Sequence, residues 1–338
     1  MIKEPIALSR RTFLAASAAL LAEACGGPST RPPSAGAPFR VVDTMPAFFD
    51  FWDRAEGAPL EEAGALFREL VVARYPEVYV PSVLGAGSEG ELDARIDRFL
   101  PRLPALVPVM RRLHRAFEAR LEEGTRRFLQ ALPSFGWDGD CYLMASIDGF
   151  NGAGREVAGR AALLFGLDVM ADLQPDRDPM VLIHHELFHF HQAQGPAQIY
   201  GALFFEGLAT YASLVLNPGT AREDALPMTH LHDPSDPVLD APGRRVRFAD
   251  AMPEHAASLG AELLLCLDSE SREDYATFFL GRASPALGAR PVRSAYYFGL
   301  EIASRLADGR SLEVLADLDP ASLRAEIEGA LRAIVAEA

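Results

Sequence analysis

Apolar residues recur at helical spacing over most of the chain. They return every three to four positions through residues 40–75 and 91–131, and again from Pro179 to a last helix over residues 322–336. Residues 217–243, rich in Pro and Asp, interrupt the later helical part with a long loop. This spacing predicts a protein built mainly from amphipathic helices.

Two continuous apolar runs break the helical pattern near the middle of the chain. Residues 141–147 and 161–169 predict two buried strands, and the glycine-rich residues 149–154 predict the hairpin loop between them. The expected fold class is therefore α+β and mostly helical, with a small sheet before the central helices. We expect a helical N-terminal region over residues 39–134 and a second region, with the sheet and the later helices, over residues 135–338.

The start of the chain predicts an export signal and a tether. Arg10 and Arg11, followed by a short apolar run, closely resemble a twin-arginine signal peptide, which we assign to residues 1–24. Cys25 follows a segment similar to a lipoprotein processing site, and residues 25–38 are rich in Pro, Gly and Ser, which is typical of a flexible tether. We expect export to the periplasm or cell envelope. Either Cys25 is lipidated and attaches the protein to the membrane, or the signal peptide is removed by plain cleavage nearby.

The bulk composition excludes one class of partner. The formal net charge is −15, whereas a protein that binds nucleic acid needs a basic surface against the phosphates. Three cysteines are too few for a disulfide scaffold, and Cys141 and Cys266 are expected to be either free thiols or one disulfide.

The candidate chemistry is concentrated in one predicted helix. Asp178 is a suitable N-cap, Pro179 suits the first helical position, and Gly195 and Pro196 end the segment. These residues predict a helix over residues 179–193, and it contains a His-Glu-x-x-His motif.

Two histidines of this motif lie on one face of the predicted helix. His185 and His189 are four residues apart, so their imidazoles can bind a single metal ion. Glu186 is rotated by about 100° from His185 and can stand beside that ion without binding it. His184 and His191 have no histidine at this spacing, and we expect them to be buried or supporting side chains.

A catalytic zinc ion needs a third protein ligand and an open fourth position. Glu206 is the first acidic residue after His189, lies in a helix predicted over residues 198–216, and has mostly apolar neighbours. A buried carboxylate is costly unless it binds a cation, which makes Glu206 the candidate third ligand. The alternative is an ion pair between Glu206 and an arginine such as Arg160 or Arg293.

Together these features resemble one branch of the zinc peptidases. A metzincin would have Gly and His three and six residues after His189, where this chain has Gln192 and a glycine. The motif followed by a helix with Glu206-Gly-Leu-Ala instead resembles the gluzincins, the thermolysin-like zinc peptidases. The segment Ala295–Gly299 is similar to the Gly-Tyr-x-x-Gly segment of uncharacterised zinc-dependent proteases of that branch. The resemblance covers roughly residues 140–306.

The resemblance implies a zincin-like fold and a peptidase mechanism. One zinc ion would be held by His185, His189 and Glu206, with Glu186 as general base and a peptide or protein as substrate. Two other hypotheses compete with this one. They are a non-catalytic binding lipoprotein stabilised by zinc, and a zinc hydrolase of a non-peptide amide. An intact Glu186 favours an enzyme, because a structural zinc site needs no base.

The resemblance also suggests supporting groups. Tyr296 is the first candidate for stabilising the oxyanion of the transition state. The alternatives are Tyr297, His230 and His232. Thr210, one turn after Glu206, is either a residue that orients a ligand or an ordinary helix residue. Gly207 is expected to let its helix approach the motif helix closely, and the strand over residues 161–167 is expected to be the edge that pairs with a substrate peptide.

Overall fold

The computed structural model confirms a mostly helical α+β fold. It contains a four-stranded mixed sheet and a separate pair of two-residue strands. It describes residues 38–173, 175, 177–226, 229–230, 245–280 and 291–338. The predicted signal peptide, and all but the last residue of the predicted tether, lie outside the described residues.

The described residues form six strands and fifteen α-helices. The strands are β1 (Arg40–Asp43), β2 (Asp140–Met144), β3 (Gly152–Val157), β4 (Arg160–Gly166), β5 (Thr229–His230) and β6 (Arg245–Val246). The helices are α1 (Met45–Ala55), α2 (Leu60–Phe67), α3 (Pro81–Leu84), α4 (Glu89–Phe99), α5 (Leu103–Ala131), α6 (Leu167–Leu173), α7 (Met180–His189), α8 (Ile199–Leu216), α9 (Arg222–Ala225), α10 (Phe248–Ala251), α11 (Ala256–Leu265), α12 (Arg272–Phe279), α13 (Ser294–Leu306), α14 (Leu312–Ala316) and α15 (Arg324–Glu337).

The chain divides into two compact units. The first extends to Arg126 and includes Gly136–Pro179, and the second comprises Arg127–Phe135 and Met180–Ala338. This division differs from the boundary predicted at residue 135, because the sheet belongs with the N-terminal helices and not with the later ones. Among the described residues, Cys141 of the first unit and Cys266 of the second are both free thiols, the former buried and the latter half-buried.

The sheet of the first unit has the order β1-β2-β4-β3. Strands β1, β2 and β4 are parallel, and β3 is antiparallel to β4. The helix predicted from residue 40 is wrong for its first four residues, which form β1. Arg40 lies opposite Asp140 of β2, and its guanidinium donates to the carboxylate at 2.9 and 2.7 Å. This cross-strand pair is specified by tertiary structure, not by local periodicity.

The hairpin of the sheet lies later in the chain than predicted. Residues 152–154, expected in its loop, belong to β3, and the turn consists of Ala158 and Gly159, both at positive φ. Two such residues favour the turn that matches the twist of paired strands. The predicted edge over residues 161–167 is also wrong, because β4 is paired on both sides and ends at Gly166.

Helix α8 is the central element of the second unit. Its contacts with α7 and α13 are the most extensive of any helix pairs in the unit. Among the described helices it is the one that is long and apolar enough to cross a membrane, yet 61% of its length is buried inside the fold. A helix that is apolar all round and mostly buried is typical of a protein core.

Candidate metal centre

The two histidines of the motif lie side by side on α7. His185 and His189 are one helical turn apart, and their Nε2 atoms are 3.0 Å from each other. Each side chain keeps 13% of its surface exposed, whereas Ile183, Leu187 and Phe188 of the same helix are fully buried. Helix α7 therefore holds both imidazoles at the margin of an apolar core, where solvent can still reach them.

The third predicted ligand comes from α8. Glu206 Oε2 is 3.5 Å from Nε2 of His185 and 3.5 Å from Nε2 of His189. Tetrahedral zinc with bonds of about 2.0–2.2 Å needs ligand atoms roughly 3.3–3.6 Å apart. The circle through the three atoms has a radius of about 1.9 Å, so a single ion can lie at bonding distance from all of them. Within the described ranges, no other His, Cys, Asp or Glu group has this spacing.

The two histidines also determine the charge state of Glu206. Burial raises the pKa of the Glu206 carboxyl, but His189 and His185 lower it by more, so the net shift is strongly downward. The carboxylate is therefore ionised at neutral pH and available to bind a cation. Of the arginines proposed as alternative partners, Arg160 pairs within the first unit, and no ion pair joins Arg293 to Glu206 in the part of the chain that the structure describes.

Thr210 contacts Nδ1 of His185, the ring nitrogen that does not face His189. Its hydroxyl donates to the backbone carbonyl of Glu206 at 2.8 Å, and its Oγ1 lies 3.4 Å from Nδ1 of His185. Since the hydroxyl proton points to the carbonyl, Oγ1 can only accept a hydrogen bond from Nδ1–H. That tautomer leaves the Nε2 lone pair of His185 for a metal ion, so this contact favours the first of the two alternatives for Thr210, a residue that orients a ligand.

Gln192 supports His189 and was missed by the sequence analysis. Helix α7 ends at His189, four residues before the predicted end, and the chain turns so that Gln192 N–H bonds to the carbonyl of Phe188 at 2.9 Å. The Gln192 amide nitrogen then lies 2.8 Å from Nδ1 of His189 and 2.9 Å from the carbonyl of Phe205. The Phe205 ring stacks on His189 at 4.5 Å. The one sequence signal was a polar amide three positions after a ligand histidine.

Glu186, the predicted general base, is next to His185 on α7. It is only 6% exposed, and it is not a member of the group whose donor atoms all lie within 4.8 Å of one another. Successive helical residues point about 100° apart, which explains this separation. Glu186 is thus adjacent to a predicted ligand, is almost fully buried, and is not one of the three residues whose donor atoms converge.

The hydroxyl of Tyr296 lies in the electric field of the same site. Burial raises the pKa of Tyr296 well above its ordinary value, and the negative charges of Glu206 and Glu186 raise it further. The phenol is therefore protonated at neutral pH and can donate a hydrogen bond. Tyr296 is in the first turn of α13, with its ring edge-to-face against Phe279 at 6.1 Å.

The three alternatives to Tyr296 differ in what the structure describes. Burial, and then the charge of Glu301, raise the pKa of Tyr297, while Arg222 and Arg305 lower it. None of these charged residues is a predicted ligand or base, so Tyr297 lies in a different electrostatic environment from Tyr296. The side chain of His230 and the whole of His232 lie outside the described residues.

A contact between two glycines brings together helix α8, which carries Glu206, and helix α13, which carries Tyr296. A Cβ on Gly207 would lie 2.1 Å from the carbonyl oxygen of Gly299, and a Cβ on Gly299 would lie 2.7 Å from that of Leu203. Gly207 was expected to let α8 approach α7 closely, but the helix that approaches α8 at this glycine is α13. The backbones of α8 and α13 therefore meet one residue after Glu206.

The two histidines not predicted as ligands have other partners. His184 is fully buried, and its Nδ1 lies 2.8 Å from the amide nitrogen of Asn217, which also donates to a backbone carbonyl. His191 lies 3.2 Å from Glu313, whose carboxylate also accepts a hydrogen bond from Ser134 at 2.5 Å. Both histidines have the supporting positions that the sequence predicted.

Comparisons of the chain with protein-family models, with curated proteins and with solved structures found no match. The function is therefore inferred from the residues and geometry of the site.

Proposed function

We propose that the chain is a zinc-dependent peptidase of the gluzincin type, with a zincin-like arrangement in its second unit. The observation that supports this most strongly is the spacing of His185, His189 and Glu206, whose donor atoms are 3.0 to 3.5 Å apart. Two imidazole nitrogens and one carboxylate oxygen are the usual donor set of a catalytic zinc ion that keeps a fourth position for water or substrate.

The residues of the site have complementary roles in the proposed reaction. A zinc ion held there would supply Lewis-acid activation of a water molecule and of the scissile carbonyl. Glu186 accepts the proton of the attacking water and delivers it to the leaving nitrogen. The protonated hydroxyl of Tyr296 donates a hydrogen bond to the developing oxyanion. Thr210 accepts a hydrogen bond from Nδ1–H of His185, and Gln192 packs its amide against Nδ1 of His189 and so holds that ring in place.

The decisive experiment is the variant Glu186→Gln, which keeps the shape of the side chain and removes the base. Peptide hydrolysis by the zinc-loaded protein should fall about a hundredfold to ten-thousandfold, with zinc content unchanged at about one per chain. The matched control is Glu254→Gln on an exposed 3₁₀ turn, which should leave both quantities unchanged.

Three results would contradict the proposal. Activity that survives in Glu186→Gln excludes this mechanism. A wild-type protein that binds zinc without cleaving any peptide supports the non-catalytic binding lipoprotein instead. Cleavage restricted to non-peptide amides supports the zinc hydrolase of a non-peptide amide.

We propose further that the enzyme is exported by the twin-arginine route and acts at the cell envelope. Lipidation of Cys25 would attach it to the membrane.

A further inference from the structure

Arg293, which immediately precedes α13, has an unusual backbone conformation. Its φ and ψ are 58° and 26°, in the left-handed region that residues other than glycine rarely adopt. In this conformation Cβ crowds the following carbonyl oxygen, so the surrounding structure must impose it. Backbone strain of this kind is concentrated at functional sites.

The guanidinium of Arg293 is half-buried and has no partner among the described residues. It makes no hydrogen bond or ion pair with any side chain or carbonyl in the described ranges. The later arginines of the same unit differ in this respect, since each has a carboxylate within 4.0 Å. These arginines are Arg305, Arg310, Arg324 and Arg332. A half-buried, unpaired guanidinium retains its full capacity to bind an anion.

Arg293 belongs to the surroundings of the metal centre. The backbone N–H of Tyr296 donates to the carbonyl of Arg293 at 3.1 Å, which fixes the two residues within one turn. The Tyr296 hydroxyl is in the field of Arg293 as well as in the fields of Glu206 and Glu186. A divalent ion would balance the charges of the two carboxylates, so Arg293 contributes the unbalanced positive charge beside the site.

We infer that Arg293 forms a carboxylate-binding subsite of the proposed peptidase, whose substrates carry a carboxylate close to the scissile bond. This inference rests on the proposed function. A guanidinium binds a carboxylate through two parallel hydrogen bonds, which orients the substrate as well as holding it. The carboxylate is either the side chain of Asp or Glu or the free C-terminus of the peptide.

The test uses small zinc-binding probes and measures affinity, so it does not depend on turnover. Calorimetry on the zinc-loaded protein compares hydroxamates of dicarboxylic acids of increasing length with analogues in which the distal carboxylate is replaced by a carboxamide. At one length or more the acid should bind about tenfold more tightly than its amide.

Three variants assign this preference to Arg293. Arg293→Asn removes the charge and suits the left-handed backbone, so it should fold normally and reduce the acid-to-amide affinity ratio to about one. Arg293→Lys should keep part of the ratio. Arg272→Gln, on the exposed first residue of α12, should keep all of it.

The outcomes separate the subsite from the proposed function. If acids and amides bind equally at every length, or if the preference persists in Arg293→Asn, the subsite is overturned while zinc binding stands. If no hydroxamate binds, the metal centre is overturned and the subsite with it. Peptide affinities for the zinc-loaded Glu186→Gln variant then identify the source of the carboxylate. If a C-terminally amidated peptide with an internal Asp binds more tightly than the same peptide with Asn there, the side chain is the source. If a peptide with a free C-terminus binds more tightly than its amidated form, the terminal carboxylate is the source.

Discussion

Contacts to the Nδ1 atoms of His185 and His189, the two proposed ligands, fix the orientation of their rings. His189 depends on the amide of Gln192, which is 2.8 Å from its Nδ1 and only 7% exposed. The same amide nitrogen donates to the carbonyl of Phe205 at 2.9 Å, which fixes the amide against the His189 ring. Gln192 is thus a positioning residue that holds the His189 ring.

We predict that Gln192→Leu weakens zinc affinity about tenfold to hundredfold without removing a ligand. Competition with a chelator of known affinity measures the change. Gln194→Leu is the matched control, because Gln194 is exposed and two residues away. Equal affinities for wild type and Gln192→Leu would show that the amide has no effect on the ligand.

The two adjacent tyrosines of α13 allow a second test at this scale. Tyr296→Phe removes the hydroxyl that lies in the field of Glu206 and Glu186, and kcat should fall roughly a hundredfold with little change in KM. Tyr297→Phe should leave both parameters near wild type. A larger loss of kcat in Tyr297→Phe than in Tyr296→Phe would show that Tyr297, and not Tyr296, stabilises the oxyanion.

The sequence predicted the residues whose spacing is local and missed one that depends on a turn. His185 and His189 share a helical face because of their separation alone, and the structure brings Glu206 to them, as predicted. Gln192 was overlooked because its side chain reaches His189 only after α7 ends early and the chain folds back. Local periodicity contains no information about that return.

At the scale of elements, the crossing of α8 and α13 connects Glu206 with Tyr296. Each helix has a glycine at the crossing, and a Cβ on Gly207 would lie only 2.1 Å from a backbone oxygen of Gly299. A backbone atom cannot move aside as a flexible side chain can, so the helices must separate when this glycine is replaced.

We therefore predict that Gly207→Ala lowers the free energy of unfolding by about 2–3 kcal/mol and also weakens zinc binding. Urea denaturation and zinc titration measure the two effects. Gly329→Ala is the control, because this glycine of α15 has open space around it, and alanine there should stabilise by about 0.5–1 kcal/mol. If Gly207→Ala is as stable as wild type, the close crossing is not present in solution.

The sheet shows why element prediction failed where it did. Strand β1 has only four residues, two of them charged, and its partner β2 lies about a hundred residues later in the chain. The apolar runs of β2 and β4 were recognised because β2 is buried throughout and β4 is buried over its last five residues. Their pairing order depends on contacts that are distant in sequence. That order makes β4 an interior strand and excludes it as a docking edge.

At the scale of the whole molecule, all predicted ligands, the base and the candidate oxyanion donor belong to the second unit. The first unit contains the sheet, so the predicted boundary at residue 135 assigned the sheet to the catalytic region although its contacts are with the N-terminal helices. Helix content and the location of the chemistry were predictable from periodicity and motif spacing. The grouping of elements into units was not, because it depends on non-local strand pairing.

The central claim is that three side chains from α7 and α8 bind one zinc ion. The most direct test is a crystal structure of the zinc-loaded protein with anomalous diffraction data recorded on both sides of the zinc absorption edge. We predict a single strong anomalous peak at about 2.0–2.2 Å from Nε2 of His185, Nε2 of His189 and a carboxylate oxygen of Glu206. A structure with no peak at this position, or with Glu206 directed away from the two histidines, would contradict the account.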